Sequence, residues 1–269
     1  RPLAGIGVAV SGVVDQAARS VLYSPLLGWE NYSLAELDAY FDAPVLVEND
    51  ANVFAIAEHW AGKGAAYRNF IGVILGAGIG AGIIIDGQVY RGEFGGAGEL
   101  GHTLFQPDGI PCYCGQRGCL EMYTSDLYVV AEAKRLRSLG LLSPGDGREE
   151  LTVDAVHRLA AGGDRYARRV LSDRGRNVGR ALRSVVSLLN PAAVIFSEEA
   201  ARDGGLFLAG VEEELSSNFF ARHGKKVEIH VSDLGSDAWL VGACSMVVRN
   251  LFQAPIYKED ARKGVVIRP

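Results

Sequence analysis

The chain has 269 residues, 48% of them hydrophobic, with 27 Lys plus Arg against 32 Asp plus Glu and a formal charge of −5. That length can bury a core in two lobes, and no stretch approaches the ~18 uninterrupted apolar residues of a membrane span or has the form of a secretory signal, so the cytoplasm is expected. An acidic balance argues against this segment wrapping a polyanion by itself, so any DNA contact would come from elsewhere.

Arg1 stands where a methionine would, and a core-type strand begins almost at once, so the sequence reads as the truncated remainder of a longer fold. Gly5–Val10 is read as a buried strand ending at Ser11-Gly12, Ser33–Phe41 as a helix and Val45–Glu48 as a second strand. Asp50 starts a helix whose apolar positions, Val53, Ile56, Ala57 and Trp60, recur at helical spacing until Gly62 and Gly64. Strands at Phe70–Leu75 and Ala81–Ile85 flank the glycine turn Gly76-Ala77-Gly78-Ile79-Gly80, and Asp86-Gly87 is a two-residue hairpin signal. Leu120 to about Leu189 is read as mostly helical, broken near Ser143-Pro144-Gly145-Asp146-Gly147. A strand at Ala193–Ser197, a helix near Leu206–Asn218, a strand at Val227–Val231 and a helix from about Asp237 to Phe252 complete an α/β pattern.

Three of the four cysteines, Cys112, Cys114 and Cys119, fall within eight residues and follow His102. Thiolates and a neutral imidazole suit a tetrahedral zinc ion, and Gly115 and Gly118 let the backbone turn all three sulfurs inward. Four protein ligands leave no position for water, so the zinc is expected to be structural. Cys244, in an apolar run, reads as a buried inert thiol, and His59 and His157 as ordinary helix residues. Taken singly, Asp50 reads as a helix N-cap, and Glu99 and Glu121 as solvated carboxylates.

Gly98-Glu99-Leu100-Gly101-His102 followed by Cys112-x-Cys114-Gly115-x-x-Gly118-Cys119-x-Glu121 resembles the ROK family of repressors, open reading frames and sugar kinases. Gly5–Asp15, with Ser11 for the family's usual proline, Glu48-Asn49-Asp50-Ala51-Asn52 and Leu75–Gly82 are similar to further family segments. The resemblance implies an α/β, actin-like (sugar kinase/Hsp70/actin) two-lobed fold with a structural zinc loop. Residues 1–49 with 254–269 would be the remnant of the small lobe, and 50–253 the large lobe. It further implies a sugar or sugar phosphate between the lobes, bound by Asn49, Asp50, Glu99, His102 and Glu121, with Gly96, Ala97 and Gly98 letting the backbone approach it. His102 would give one nitrogen to zinc and turn the other to the sugar.

In the family's kinases the residue matching Asp50 is the general base, and the turn carrying Gly76, Gly78 and Gly80 meets phosphate. Nothing of the kinases' Asp-x-Gly-x-Thr form precedes Gly5, and Ser197-Glu198-Glu199 stands where kinases carry a glycine pair. Two carboxylates there would repel a triphosphate, which argues against ATP and the Mg²⁺ it would carry. The favoured expectation is therefore the effector-sensing part of a repressor. Its winged helix-turn-helix would lie outside this sequence, and it would act as a homodimer or higher homo-oligomer. The alternative is an ATP-dependent hexose or N-acetylhexosamine kinase.

Overall fold

Residues 3–143, 150–216 and 226–253 are described by the computed structural model of the chain. Strand β1 (Ile6–Val10) leads into an antiparallel meander of β2 (Val13–Asp15), β3 (Ser20–Ser24) and β4 (Trp29–Ser33). After the short helix α1 (Leu37–Phe41), β5 (Val45–Asn49) returns to pair in parallel with β1, from Ile6 opposite Val45 to Val10 opposite Asn49. Val10, Val14, Val21, Val45 and Val47 fuse these two small sheets through one buried cluster, the interior that β-branched side chains fill well on pleated strands.

Helix α2 (Asp50–Ala61) follows β5 without a loop and is buried along most of its length between α7 (Ala238–Gln253) and the large sheet. That sheet contains β6 (Phe70–Leu75), β7 (Ile79–Ile85), β8 (Gln88–Val89), β9 (Ala193–Phe196) and β10 (Glu228–Val231), in the order β10-β9-β6-β7-β8. β6 is parallel to β9 and β9 to β10, whereas β7 is antiparallel to both its neighbours. All four residues of β9 are buried, as a strand covered on both faces requires. On one face lie α5 (Arg165–Leu189), through Val178, Leu182 and Val186, and α6 (Leu206–Leu215). α3 (Asp126–Ser138) and α4 (Val153–Ala161) form a satellite core against the first half of α5.

The two-residue hairpin is present: Asp86 and Gly87 take φ of 51° and 76° between the paired Ile85 and Gln88. Several readings need correction. Ser33–Phe41 is not one helix, because Ser33 ends β4 and the helix occupies only Leu37–Phe41. β7 begins at Ile79, two residues before the expected start, because Leu75 opposite Ile79 closes the turn. Asp50 is the first residue of α2 and not its cap, since Asn49 holds that position. Cys244 is exposed on α7, where Gly242, Ser245 and Met246 face inward. The expected helix break at 144–147, the end of the 206–218 helix and the 254–269 tail lie outside the described residues.

Candidate metal centre and adjoining carboxylates

The metal loop is built from its backbone outward. Leu104 bridges Cys119 and Pro111 bridges Arg117 in two isolated antiparallel contacts. Cys112 N donates to Gln116 O (2.8 Å) and Gly115 N to Cys112 O (3.1 Å), while Gly115 and Gly118 take φ of +89° and +76°, as the sequence spacing requires. The ligand atoms of His102, Cys112, Cys114 and Cys119 lie within 4.8 Å of one another. Cys114 Sγ is 3.6 Å from Cys119 Sγ, and Cys112 Sγ is 3.6 Å from His102 Nδ1. A tetrahedron with metal–sulfur bonds of about 2.3 Å has edges of about 3.7 Å, so these donors fit such an ion in number, chemistry and spacing. Burial pushes the Cys119 thiol up to about 12, an effect its neighbouring thiols reinforce and a bound cation would reverse.

With Nδ1 on the sulfur side, His102 Nε2 faces away from the metal position, 3.4 Å from the Tyr113 hydroxyl and 4.0 Å from Glu99 Oε2. Leu100 and Leu120, 4% and 0% exposed, anchor this region in the main core and thereby place their sequence neighbours Glu99 and Glu121. Burial raises the Glu99 carboxyl above its ordinary value; the charges of Asp50 and Glu121 add to this and His102 opposes it. Asp50 is raised too, by burial, against hydrogen bonds from the backbone of Ala51 and of Asp50 itself. The four groups therefore share one electrostatic neighbourhood, although Asp50 arrives from α2 and the others from the metal loop and its approach.

Three of the predicted residues have structural duties. Asn49 Oδ1 accepts from Ala51 N (2.9 Å) and Asn52 N (3.1 Å), capping α2, while Nδ2 donates to Gly12 O (3.0 Å) at the end of β1. Glu121 is 5% exposed, and its Oε2 accepts from Ile79 N (3.0 Å). A Cβ at Gly78 would lie 2.5 Å from that oxygen, so Glu121 clamps the glycine turn to the metal loop. Gly98, at φ +93°, owes its missing side chain to the Ala81 carbonyl packed against it within the chain, and Ala81 N in turn donates to Gly98 O (3.1 Å).

Sequence reasoning missed the group beneath this site. Glu48, 1% exposed, accepts from Gln16 Nε2 (2.5 Å), Arg91 Nε (2.7 Å), Asn52 Nδ2 (3.0 Å) and Asn49 N (3.0 Å). It joins the meander, β5, α2 and the chain after β8 at one buried carboxylate. Its place in Glu-Asn-Asp was visible, but nothing local marks a partner 43 positions away.

Beside the glycine turn, Leu75 N donates to Ser197 Oγ (3.2 Å), tying β6 to β9. Glu198 and Glu199 follow in a single 3₁₀ turn, and Arg202 lies 3.6 Å from the first and 3.3 Å from the second. The expected repulsion of a triphosphate is thus weakened by a neighbouring guanidinium. A cavity of about 290 Å³ lined by Asn69, Ile83, Asp86, Leu189, Asn190 and Pro191 lies at the other end of the sheet and includes none of the predicted residues. No helix among the described residues is long and apolar enough to cross a membrane.

A sequence profile of the ROK family matches residues 1–250. The chain is 32% identical over 257 residues to a xylose repressor of Caldicellulosiruptor bescii, an alignment covering 94% of this chain and 64% of the repressor. Its fold matches a crystal structure of a ROK family transcriptional regulator, a homologue of the E. coli MLC protein, at TM-score 0.83 and 28% identity, covering 91% of this chain and 62% of that one. It also matches a ROK glucokinase from Streptomyces griseus in complex with glucose and AMPPNP, at TM-score 0.80 and 31% identity, covering 90% and 81%. The chain thus spans less than two thirds of the repressor and regulator it resembles.

Proposed function

The chain belongs to the ROK family, with an α/β actin-like fold, and from that premise we propose that it is the sugar-sensing effector domain of a ROK transcriptional repressor. The observation that carries the reading is the convergence of Asp50, Glu99 and His102 beside a Cys₃His cluster. Carboxylates accept from sugar hydroxyls, and an imidazole fixed through Nδ1 presents Nε2–H as a donor. The ion is a structural zinc, held by His102, Cys112, Cys114 and Cys119, which keeps Glu99 and His102 on one rigid loop. Asn49 and Glu121 contribute to sugar binding beside their roles in the cap of α2 and the glycine turn. Gly98 sets the backbone beside Glu99. The ligand is a hexose or hexose derivative, and the protein acts in the cytoplasm as a homodimer or higher oligomer. DNA is read by a winged helix-turn-helix outside this chain, and ligand binding selects one arrangement of the lobes.

A second reading, an ATP-dependent sugar kinase, is favoured by the likeness to the glucokinase and by the raised Asp50 carboxyl, which suits a general base. Gly76, Gly78 and Gly80 would then face phosphate. Incubation with ATP, Mg²⁺ and a panel of hexoses and N-acetylhexosamines separates the two. The repressor reading predicts saturable sugar binding without turnover, and ~1 to 100 turnovers per second would replace it with the kinase.

A further inference from the structure

We propose that Tyr113 is a further, specificity-determining residue of the sugar site, its hydroxyl presented to the ligand between His102 and Glu121. The inference rests on the sugar-binding reading above.

Tyr113 lies between two of the metal-ligating cysteines, so its backbone is fixed by the loop hydrogen bonds of Cys112 and Gly115. Its ring meets the His102 imidazole edge-on, with centroids 5.3 Å apart, and its hydroxyl stands 3.4 Å from Nε2. The Glu121 carboxylate acts electrostatically on the same hydroxyl, and Glu99 does so more weakly. His102 lies beside this one oxygen, and the charges of Glu99 and Glu121 both act on it. The ring is 55% exposed and belongs to none of the buried apolar clusters, so burial does not account for an aromatic residue here.

The chemistry follows from the imidazole. With Nδ1 on the metal side, the proton must reside on Nε2, where it stands beside the tyrosine oxygen and can be given to a sugar oxygen. The tyrosine O–H faces the Glu121 carboxylate, which leaves the phenol oxygen to accept from a sugar hydroxyl. A sugar hydroxyl both donates and accepts, so it can take the Nε2 proton while giving its own to the tyrosine oxygen. The exposed ring adds an apolar surface against which a pyranose C–H face can rest. A site that reads one hydroxyl through a phenol discriminates against the sugar that lacks it, because the polar groups around that position are left unpaired.

The experiment is calorimetric titration of the metal-replete chain and of Tyr113→Phe with D-glucose, D-xylose and the monodeoxy-glucoses, with metal content measured on each sample. The exposed ring makes Phe a mild change, and Tyr113→Gln provides a second variant with the ring removed. The expected result is binding about five-fold weaker in Tyr113→Phe, the loss of one hydrogen bond. The deficit should disappear for the one deoxy-sugar lacking the contacted hydroxyl, with metal content unchanged. Equal affinities of wild type and Tyr113→Phe for every sugar overturn the inference alone. Loss of metal together with a uniform loss of binding also overturns it, as that marks a structural role. Absence of binding by wild type to every sugar overturns this inference and the sugar-sensing reading together.

Discussion

Replacing Arg91 by methionine removes the guanidinium that faces Glu48, whose side chain is 2% exposed. Deleting one partner of a buried ion pair costs roughly 3–5 kcal/mol, mostly from the charge left behind. Two features reduce that figure here. Arg91 keeps 35% of its side chain in solvent, and Gln16, Asn49 and Asn52 continue to donate to the carboxylate. A loss of about 2–3 kcal/mol is therefore expected, measured by urea unfolding from the midpoint at constant m. Adding Glu48→Gln in the same background neutralises the stranded charge and should recover about 1–2 kcal/mol. A cost below about 0.5 kcal/mol for Arg91→Met, or a double variant whose cost equals the sum of the singles, would refute the coupling. Because Glu48 immediately precedes Asn49 and Asp50, sugar affinity should fall with Arg91→Met as well.

Cys114→Ser should lose the metal and melt lower than wild type by thermal shift, and an unchanged metal content would remove Cys114 from the ligand set. Asp50→Ala should retain the metal and weaken sugar binding about 10- to 100-fold, the range for a hydrogen bond to a charged group; an unaltered dissociation constant would take Asp50 out of the site. Asp50→Asn has a pH signature. The folded chain holds the Asp50 proton more tightly than the unfolded chain does, so ionised Asp50 destabilises the native state above its raised pKa. That penalty fades as pH falls to the ordinary carboxylate value. Asp50→Asn should accordingly melt above wild type at pH 8, with the gap closing in acid, and a gap independent of pH would contradict the assignment. Sugar binding through ionised Asp50 and Glu99 should also weaken as pH falls through their raised values.

The Cys₃His cluster was legible because its geometry is local: three thiols and a histidine within eighteen residues, with Gly115 and Gly118 at the bends, define a small closed loop. The large-sheet strands were legible for a related reason, since a doubly covered strand such as Ala193–Phe196 is apolar at every position. The β2–β4 meander was not. Its strands are three to five residues long, and Arg19 and Asn31 take positive φ within or beside them, so no alternation survives in the sequence. Cys244 misled because an apolar run on a helix does not say which side faces out. Glu121 was placed at the site, but its bond to the backbone of Ile79, 42 residues away, arises only when the turn and the metal loop meet.

Calorimetric titration of metal-replete wild type and Asp50→Ala with D-glucose and D-xylose bears most directly on whether this chain holds a carbohydrate at its metal-braced carboxylates. Saturable binding of at least one of them at one site per chain is expected, sharply weakened by Asp50→Ala with the metal still in place. No binding of either sugar, or binding indifferent to Asp50, would contradict it.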